Sequence, residues 1–363
     1  MKTIKEMGYN CRIIRYVKKD SLWRRIYIAP LVLISGGWSA YWRKKKKSQK
    51  NDYPFNYVQN LALRTKANNK WKDLEMEPLC DTYVGYEELV NGSRNYNLVL
   101  VGSDQVWAPL GLYSRFYNLI FVDECIPTMS YASSFGVTQI PWWQRRSTAS
   151  FLKRIDAISV RELQGKQIVM ELTGRDATVV CDPTLLRTRE QWEQEFIGKM
   201  PKVENDYIFC YLLGHRSESR DVVRQLSKDT GLPVVAIRHT DEYIACDECF
   251  GDIALWDVDP IEFVQLISRA TYVCTDSFHC SVFSIIFHRP FLTFYRFAST
   301  DRNSRNSRID SLLSLTGLTE RLYHSDITKE IQQTIDYHSV DLKINQLRNL
   351  SMGFLKKGLK QAI

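Results

Sequence analysis

Residues 271–287 read TYVCTDSFHCSVFSIIF. The run TYVCT is short, apolar and rich in β-formers, which predicts a buried parallel strand over 271–275. Asp276 and Ser277 turn the chain, and FHCSVFSIIF predicts a helix over 278–287. A strand that runs directly into a helix start places open backbone N–H groups and the positive end of the helix dipole at the sheet edge, where an anion is stabilised. The preceding unit is of the same kind. Asp259 as N-cap, Pro260 at the first helical position and Glu262 three residues after the cap open a helix over 260–270, with Phe263, Leu266, Ile267 and Ala270 on one face. Further back, YIFCYLLG (207–214), a helix over 217–229 stopped by Gly231, and LPVVAIRH (232–239) continue the alternation.

The N-terminal half carries a first series of the same type. In RNYNLVLVGSDQVW the apolar residues 98–101 predict a buried strand ending at Gly102, and further apolar runs lie at 129–136, 155–160 and 178–184, with helical stretches between. Alternating strands and helices mean an α/β layer architecture. A polar segment with Met200, Pro201 and Lys202 separates the two series. With 363 residues the chain predicts two domains, 1–199 and 200–363, the second including a C-terminal helix.

Composition narrows the function classes. At 44% hydrophobic and 25% charged residues, the chain is neither disordered nor collagenous. No window approaches the roughly 20 uninterrupted apolar residues of a spanning helix. Arg43, Lys44, Lys45, Lys46, Lys47 and Lys50 supply six of the +8 net charge, so the basic balance reports one local patch and argues against a nucleic-acid partner. That patch follows the apolar stretch 26–42, which contains Pro30, Gly36 and Gly37 and has no small-residue cleavage site. Two readings stand for it: a partly buried helix with a solvated basic end, or peripheral contact with the anionic inner leaflet through Arg43 to Lys50. The odd number of cysteines, nine, with several inside apolar runs, predicts reduced thiols in a cytoplasmic protein.

Candidate functional residues follow from the strand ends. His279 falls in the first turn of its helix, where an imidazole moves a proton or pairs with phosphate, or is a structural residue bonded to a neighbouring carbonyl. Arg289, Arg296, Arg302, Arg305 and Arg308 gather downstream in a Ser/Asn-rich segment that reads as a polar loop. Their forks suit phosphate or carboxylate, and a solvated loop also holds such residues. Ser103, Asp104 and Gln105 follow a buried strand, where open α/β sheets place ligands. GSDQ is neither a Walker loop nor a dinucleotide fingerprint, so ATP and NAD are poorly supported. Asp182, before Pro183, also ends a strand and either meets a ligand or caps the turn. Cys246 and Cys249 form a CxxC with no second pair, which gives no structural zinc site.

Taken together, VGSDQVW (101–107), YASSFG (131–136), ISVRE (158–162), CDPTLL (181–186), DPIEF (259–263), TDSFHCSVFSIIF (275–287) and NSRI (306–309) resemble the polysaccharide pyruvyl transferase family in order and spacing, from about residue 85 to 325. The resemblance implies two Rossmann-like domains facing across a cleft, GT-B-like, with the acceptor on the N-terminal side and phosphoenolpyruvate on the C-terminal side. It implies transfer of pyruvate from phosphoenolpyruvate to a sugar of a surface polysaccharide or its lipid-linked precursor, as a ketal, with neither metal nor cofactor required. The implied catalytic residues are His279, Asp104 and Asp182. Substrate binding falls to Arg161 of SVRE as an anion clamp, Ser103, Gln105, Ser277, Phe278 and Arg308. Where many members read SFHG, this chain has Cys280. Members begin with a strand and an NYG-like turn before a helix, whereas MKTIKEMGYNCRIIRY resembles the end of that helix and the next strand, so the first βα unit is expected to be missing. A glycosyltransferase using a nucleotide sugar on the same fold, and a truncated paralogue that binds a glycan or partner without catalysis, are the alternatives.

Overall fold

Short apolar runs joined by helical crossovers pair in parallel, because each crossover returns the chain to the same end of the sheet. The computed structural model describes residues 1–19, 53–109, 115–240, 242–297 and 306–362, and every strand pairing in it is parallel. The apolar 26–42 stretch, the patch Arg43 to Lys50, Arg302 and Arg305 lie outside the described residues. No helix among the described residues is long and apolar enough to cross a membrane.

The chain divides into two α/β units. The first comprises Met1–Gln49, Leu79–Leu186 and Asn345–Ile363. After a short helix Lys2–Glu6, strand β1 (Ile13–Val17) pairs with β2 (Cys80–Val84), as expected for a helix end followed by a strand. Strand β3 (Val99–Val101) pairs with β4 (Thr128–Ser130), and β5 (Ser159–Val160) with β6 (Thr178–Val179). Bridges at Met129–Ala157 and Ser133–Val160 set these two pairs side by side. Trp107, Phe135 and Phe151 meet in the core behind them, with ring centroids 5.2 and 5.7 Å from Trp107.

The second unit comprises Lys50–Pro78 and Arg187–Ile344. Its sheet has the order β11-β10-β7-β8-β9, where β7 is Ile208–Tyr211, β8 Val234–Ile237, β9 Ile253–Leu255, β10 Tyr272–Thr275 and β11 Phe291–Thr293. Its helices include α1 (Ser217–Thr230), α2 (Pro260–Arg269), α3 (Phe278–Ile286) and α4 (Ser307–Thr316). Gly231 ends α1 in the left-handed conformation, as its position in the sequence predicts.

A single cut near residue 199 does not describe this division. Arg64, on the helix Phe55–Trp71, donates from Nε to Trp256 O (2.6 Å) and from Nη2 to Leu255 O (3.3 Å), which ties that helix to the β9 end of the second unit. The C-terminal helix Tyr337–Leu359 has its later residues in the first unit, where Ser351 Oγ accepts the Cys181 N–H (2.9 Å) and Arg348 Nε donates to Leu185 O (2.7 Å). The runs expected at 129–136, 155–160 and 178–184 form shorter strands in the structure, at Thr128–Ser130, Ser159–Val160 and Thr178–Val179.

The capping box of α2 forms as the sequence predicts. Asp259 accepts from the N–H groups of Ile261 and Glu262 (both 2.8 Å), and Glu262 accepts from the Asp259 N–H (2.7 Å). Burial works against the Asp259 carboxylate, but Lys199 Nζ at 2.7 Å and the capped N–H groups outweigh it and hold its pKa below the usual value. A depressed folded-state pKa gives a contribution that is full above the unfolded value of about 3.9 and is lost as pH falls through the folded one. Asp259→Ala is therefore expected to destabilise the protein by roughly 1 to 2 kcal/mol at neutral pH. The gap to wild type should close as pH falls below about 4. Thermal unfolding of both proteins from pH 7 to pH 3 checks it, and equal melting at pH 7 would refute the cap's contribution.

Candidate active site

The turn after β10 is built by its last residue. Thr275 Oγ1 donates to Tyr211 O on β7 (2.6 Å) and accepts the Ser277 N–H (3.0 Å), which fixes the exit of the chain toward α3. Ser277 is the N-cap residue, with extended backbone, and its carbonyl accepts from Ser281 N (3.0 Å) and Oγ (3.2 Å). His279 occupies the first helical turn and is partly exposed, its ring edge-on to the buried Phe278 at 5.3 Å. The Arg308 guanidinium lies 6.0 Å from the same Phe278 ring. Ser277, Phe278, His279 and Arg308 thus come together in the second unit.

Arg308 is not in a loop. It is the second residue of α4, whose start is held by Asn306 bonding both the N–H and the carbonyl of Phe297, and whose Ile309, Leu312 and Leu313 are buried at helical spacing. At Cys280, the departure from the family pattern, the side chain is fully buried and burial pushes the thiol up to about 12, so it packs as a small apolar group.

Asp276 is a site residue that sequence reasoning did not single out. Its carboxylate accepts from the N–H groups of Leu213 (2.8 Å) and Gly214 (2.7 Å), while Arg296 Nη2 lies 3.6 Å from it and donates to the Asp276 carbonyl (3.2 Å). Burial raises the carboxyl pKa, with Arg296 and the two N–H groups acting against the rise. A side chain at position 214 would place Cβ 3.0 Å from Asp276 Oδ2 and 3.1 Å from Arg296 Cγ, so glycine lets the β7 loop approach. The signal in the sequence was this glycine closing an apolar strand run.

In the first unit the strand ends converge on Arg161. Its side chain is 3% exposed, with Nη2 donating to Asp104 Oδ1 (2.9 Å), Nη1 to Asp182 Oδ2 (2.9 Å) and Nε to Glu162 Oε1 (3.2 Å). Burial opposes its charge, but Asp182, Glu162 and Asp104 prevail and raise its pKa. The guanidinium expected to act as an anion clamp thus lies among three carboxylates. Asp182 is 1% exposed and also accepts from the N–H (3.0 Å) and hydroxyl (2.8 Å) of Thr184, which makes it the cap of the following turn. Asp104 differs, with 48% of its side chain exposed. Its carbonyl accepts from Val106 N and Ser134 N, and Gly102 before it has φ +151°, with space for no Cβ because Tyr131 O would lie 1.9 Å away. Ser103 and Gln105 flank it, partly buried, and Gln105 Nε2 has no hydrogen-bond partner among the described residues. Among those residues no cluster of His, Cys, Asp and Glu is arranged to hold a metal ion.

Comparison with known proteins bears on the whole chain. No curated protein matches it. Among solved structures, the UDP-GlcNAc 2-epimerase from Neisseria meningitidis bound to UDP-GlcNAc is similar at 10% identity and a TM-score of 0.44, over 84% of this chain and 97% of that one. A putative UDP-N-acetylglucosamine 2-epimerase from Listeria monocytogenes is 12% identical with a TM-score of 0.42, over 81% and 88%. MurG from Acinetobacter baumannii is 9% identical with a TM-score of 0.36, over 80% and 83%. Likeness at these levels carries no functional argument. The model of the polysaccharide pyruvyl transferase family matches residues 1–296, from the first residue and not from 85, and takes in every quoted segment except NSRI. The chain belongs to the polysaccharide pyruvyl transferase family.

Proposed function

We propose that the protein transfers pyruvate from phosphoenolpyruvate to two hydroxyls of one sugar residue in a surface polysaccharide or its lipid-linked precursor. The observation that supports this reading is the turn after β10, which presents a partly exposed imidazole, His279, at a helix start suited to an anion, in a chain of this family. His279 delivers a proton to the methylene carbon of the enolpyruvyl group, and positive charge develops at the adjacent carbon. One sugar hydroxyl adds there, the C–O bond to phosphate breaks, and the second hydroxyl closes the ketal. Of the two hydroxyl protons, one replaces that given by His279 and the other leaves with phosphate. Ser277 and the first turn of α3, with Arg308 beside Phe278, are the phosphate-side contacts. No cofactor enters this chemistry.

Asp104, the exposed carboxylate of the first unit, is the acceptor-side residue, with Ser103 and Gln105 next to it. Arg161 and Asp182 act through it. Arg161 holds the Asp104 carboxylate at a fixed angle, and Asp182 holds Arg161, so both are positioning residues. Localisation at the cytoplasmic face, where such precursors are assembled, is part of the same proposal.

His279→Ala should abolish phosphate release from phosphoenolpyruvate in the presence of acceptor, with unchanged circular dichroism, because a part-exposed ring contributes little packing. Wild-type turnover in the folded variant would remove His279 from the reaction. Arg161→Ala should destabilise the protein by roughly 3 to 5 kcal/mol, since it strands buried carboxylates. Arg161→Lys keeps the charge without the fork. It should leave phosphoenolpyruvate affinity unchanged and raise the acceptor KM, whereas a fall in phosphoenolpyruvate affinity alone would restore the clamp role.

A further inference from the structure

Arg238 follows β8 directly, at the carboxyl edge of the sheet and one strand from β7. The residue is only 7% exposed, yet its Nη1 is buried with no hydrogen-bond partner among the described residues. Arg220, on α1, is 1% exposed. Its Nε donates to Asp247 Oδ1 (2.6 Å) and its Nη1 to the carbonyls of Gly214 (2.9 Å) and Arg216 (2.8 Å), while Nη2 is buried without a partner among the described residues. The charges of Arg220 and Asp247 both act on Arg238. Asp247 is thus bonded to Arg220, and Asp276 on the far side of Gly214 lies by Arg296, whereas no ion pair among the described residues engages Arg238.

An enclosed cation short of counter-charge destabilises a fold, and burial accordingly lowers the Arg238 pKa, with Asp247 opposing. Two arginine nitrogens from neighbouring elements match what phosphoryl oxygens accept. Arg161 shows the contrast, its three donor nitrogens all engaged by carboxylates.

We propose that Arg238 and Arg220 form a phosphate-binding site, separate from the His279 turn, that takes the diphosphate of a sugar carrier, nucleotide or lipid. Only the identity of that ester as acceptor rests on the pyruvyl-transfer reading; the site itself does not.

Calorimetric titration with inorganic pyrophosphate at constant ionic strength, on the full chain, tests the site. Wild type and His279→Ala should bind alike, and Arg238→Gln should bind at least about tenfold more weakly. Without ligand, Arg238→Gln should melt no lower than wild type, because it removes a buried charge that lacks a partner. Absence of pyrophosphate binding in wild type, equal binding in Arg238→Gln, or an equal loss in His279→Ala would overturn the proposal. Collapse of the Arg238→Gln fold would also overturn it, by showing that Arg238 has a structural partner. Parallel titrations with UDP and with geranyl diphosphate identify the carrier by which of them exceeds pyrophosphate in affinity. Arg238-dependent binding in a protein without pyruvyl transfer would leave the site standing and refute the function alone.

Discussion

Parallel pairing is the constraint on which the rest of this structure depends. Strands joined by helical crossovers all end at one edge of their sheet, so the polar residues that close each apolar run collect there. In the second unit this edge carries Gly214 after β7, Arg238 after β8, Asp276 and Ser277 after β10, and Arg296 beyond β11. In the first unit it carries Asp104 after β3, Ser133 after β4, Arg161 after β5 and Asp182 after β6. No special motif is needed to bring these groups together, since the topology does so.

What separates the edges is the way each handles charge. The first unit encloses one guanidinium among three carboxylates, so that edge is acidic, and the half-exposed Asp104 is its outlet to solvent. At the edge of the second unit Arg220 pairs with Asp247 and Arg296 lies by Asp276, while Arg238 Nη1 is buried with no hydrogen-bond partner among the described residues.

Buried arginines also explain why the two functions of this architecture, folding and binding, pull against each other. Arg161 satisfies its carboxylate neighbours and supports the fold. Arg238 Nη1 has no such neighbour close enough to bond among the described residues, and its desolvation weakens the fold until an anion arrives. Residues of the same type at equivalent strand ends therefore take opposite roles, decided by what stands next to them.

The signals legible in the chain were those set by local sterics and local hydrogen bonding. Alternation of apolar runs and helices, the Asp259 to Glu262 cap, the Gly231 stop and the strand–turn–helix at 271–287 each involve residues a few positions apart, and each formed where expected. The α/β class was legible for the same reason, and so was the placing of His279 in the first turn of its helix. Partnerships across long stretches of chain were not. Arg161 meets Asp104 across 57 positions, and Asp276 holds Gly214 across 62. The helix Phe55–Trp71 joins a unit whose other residues start at 187 because Arg64 finds carbonyls 191 and 192 positions away. Which strands lie side by side fixes these pairs, and strand order carries no local signature, so the three carboxylates around Arg161 are visible only once the chain is folded.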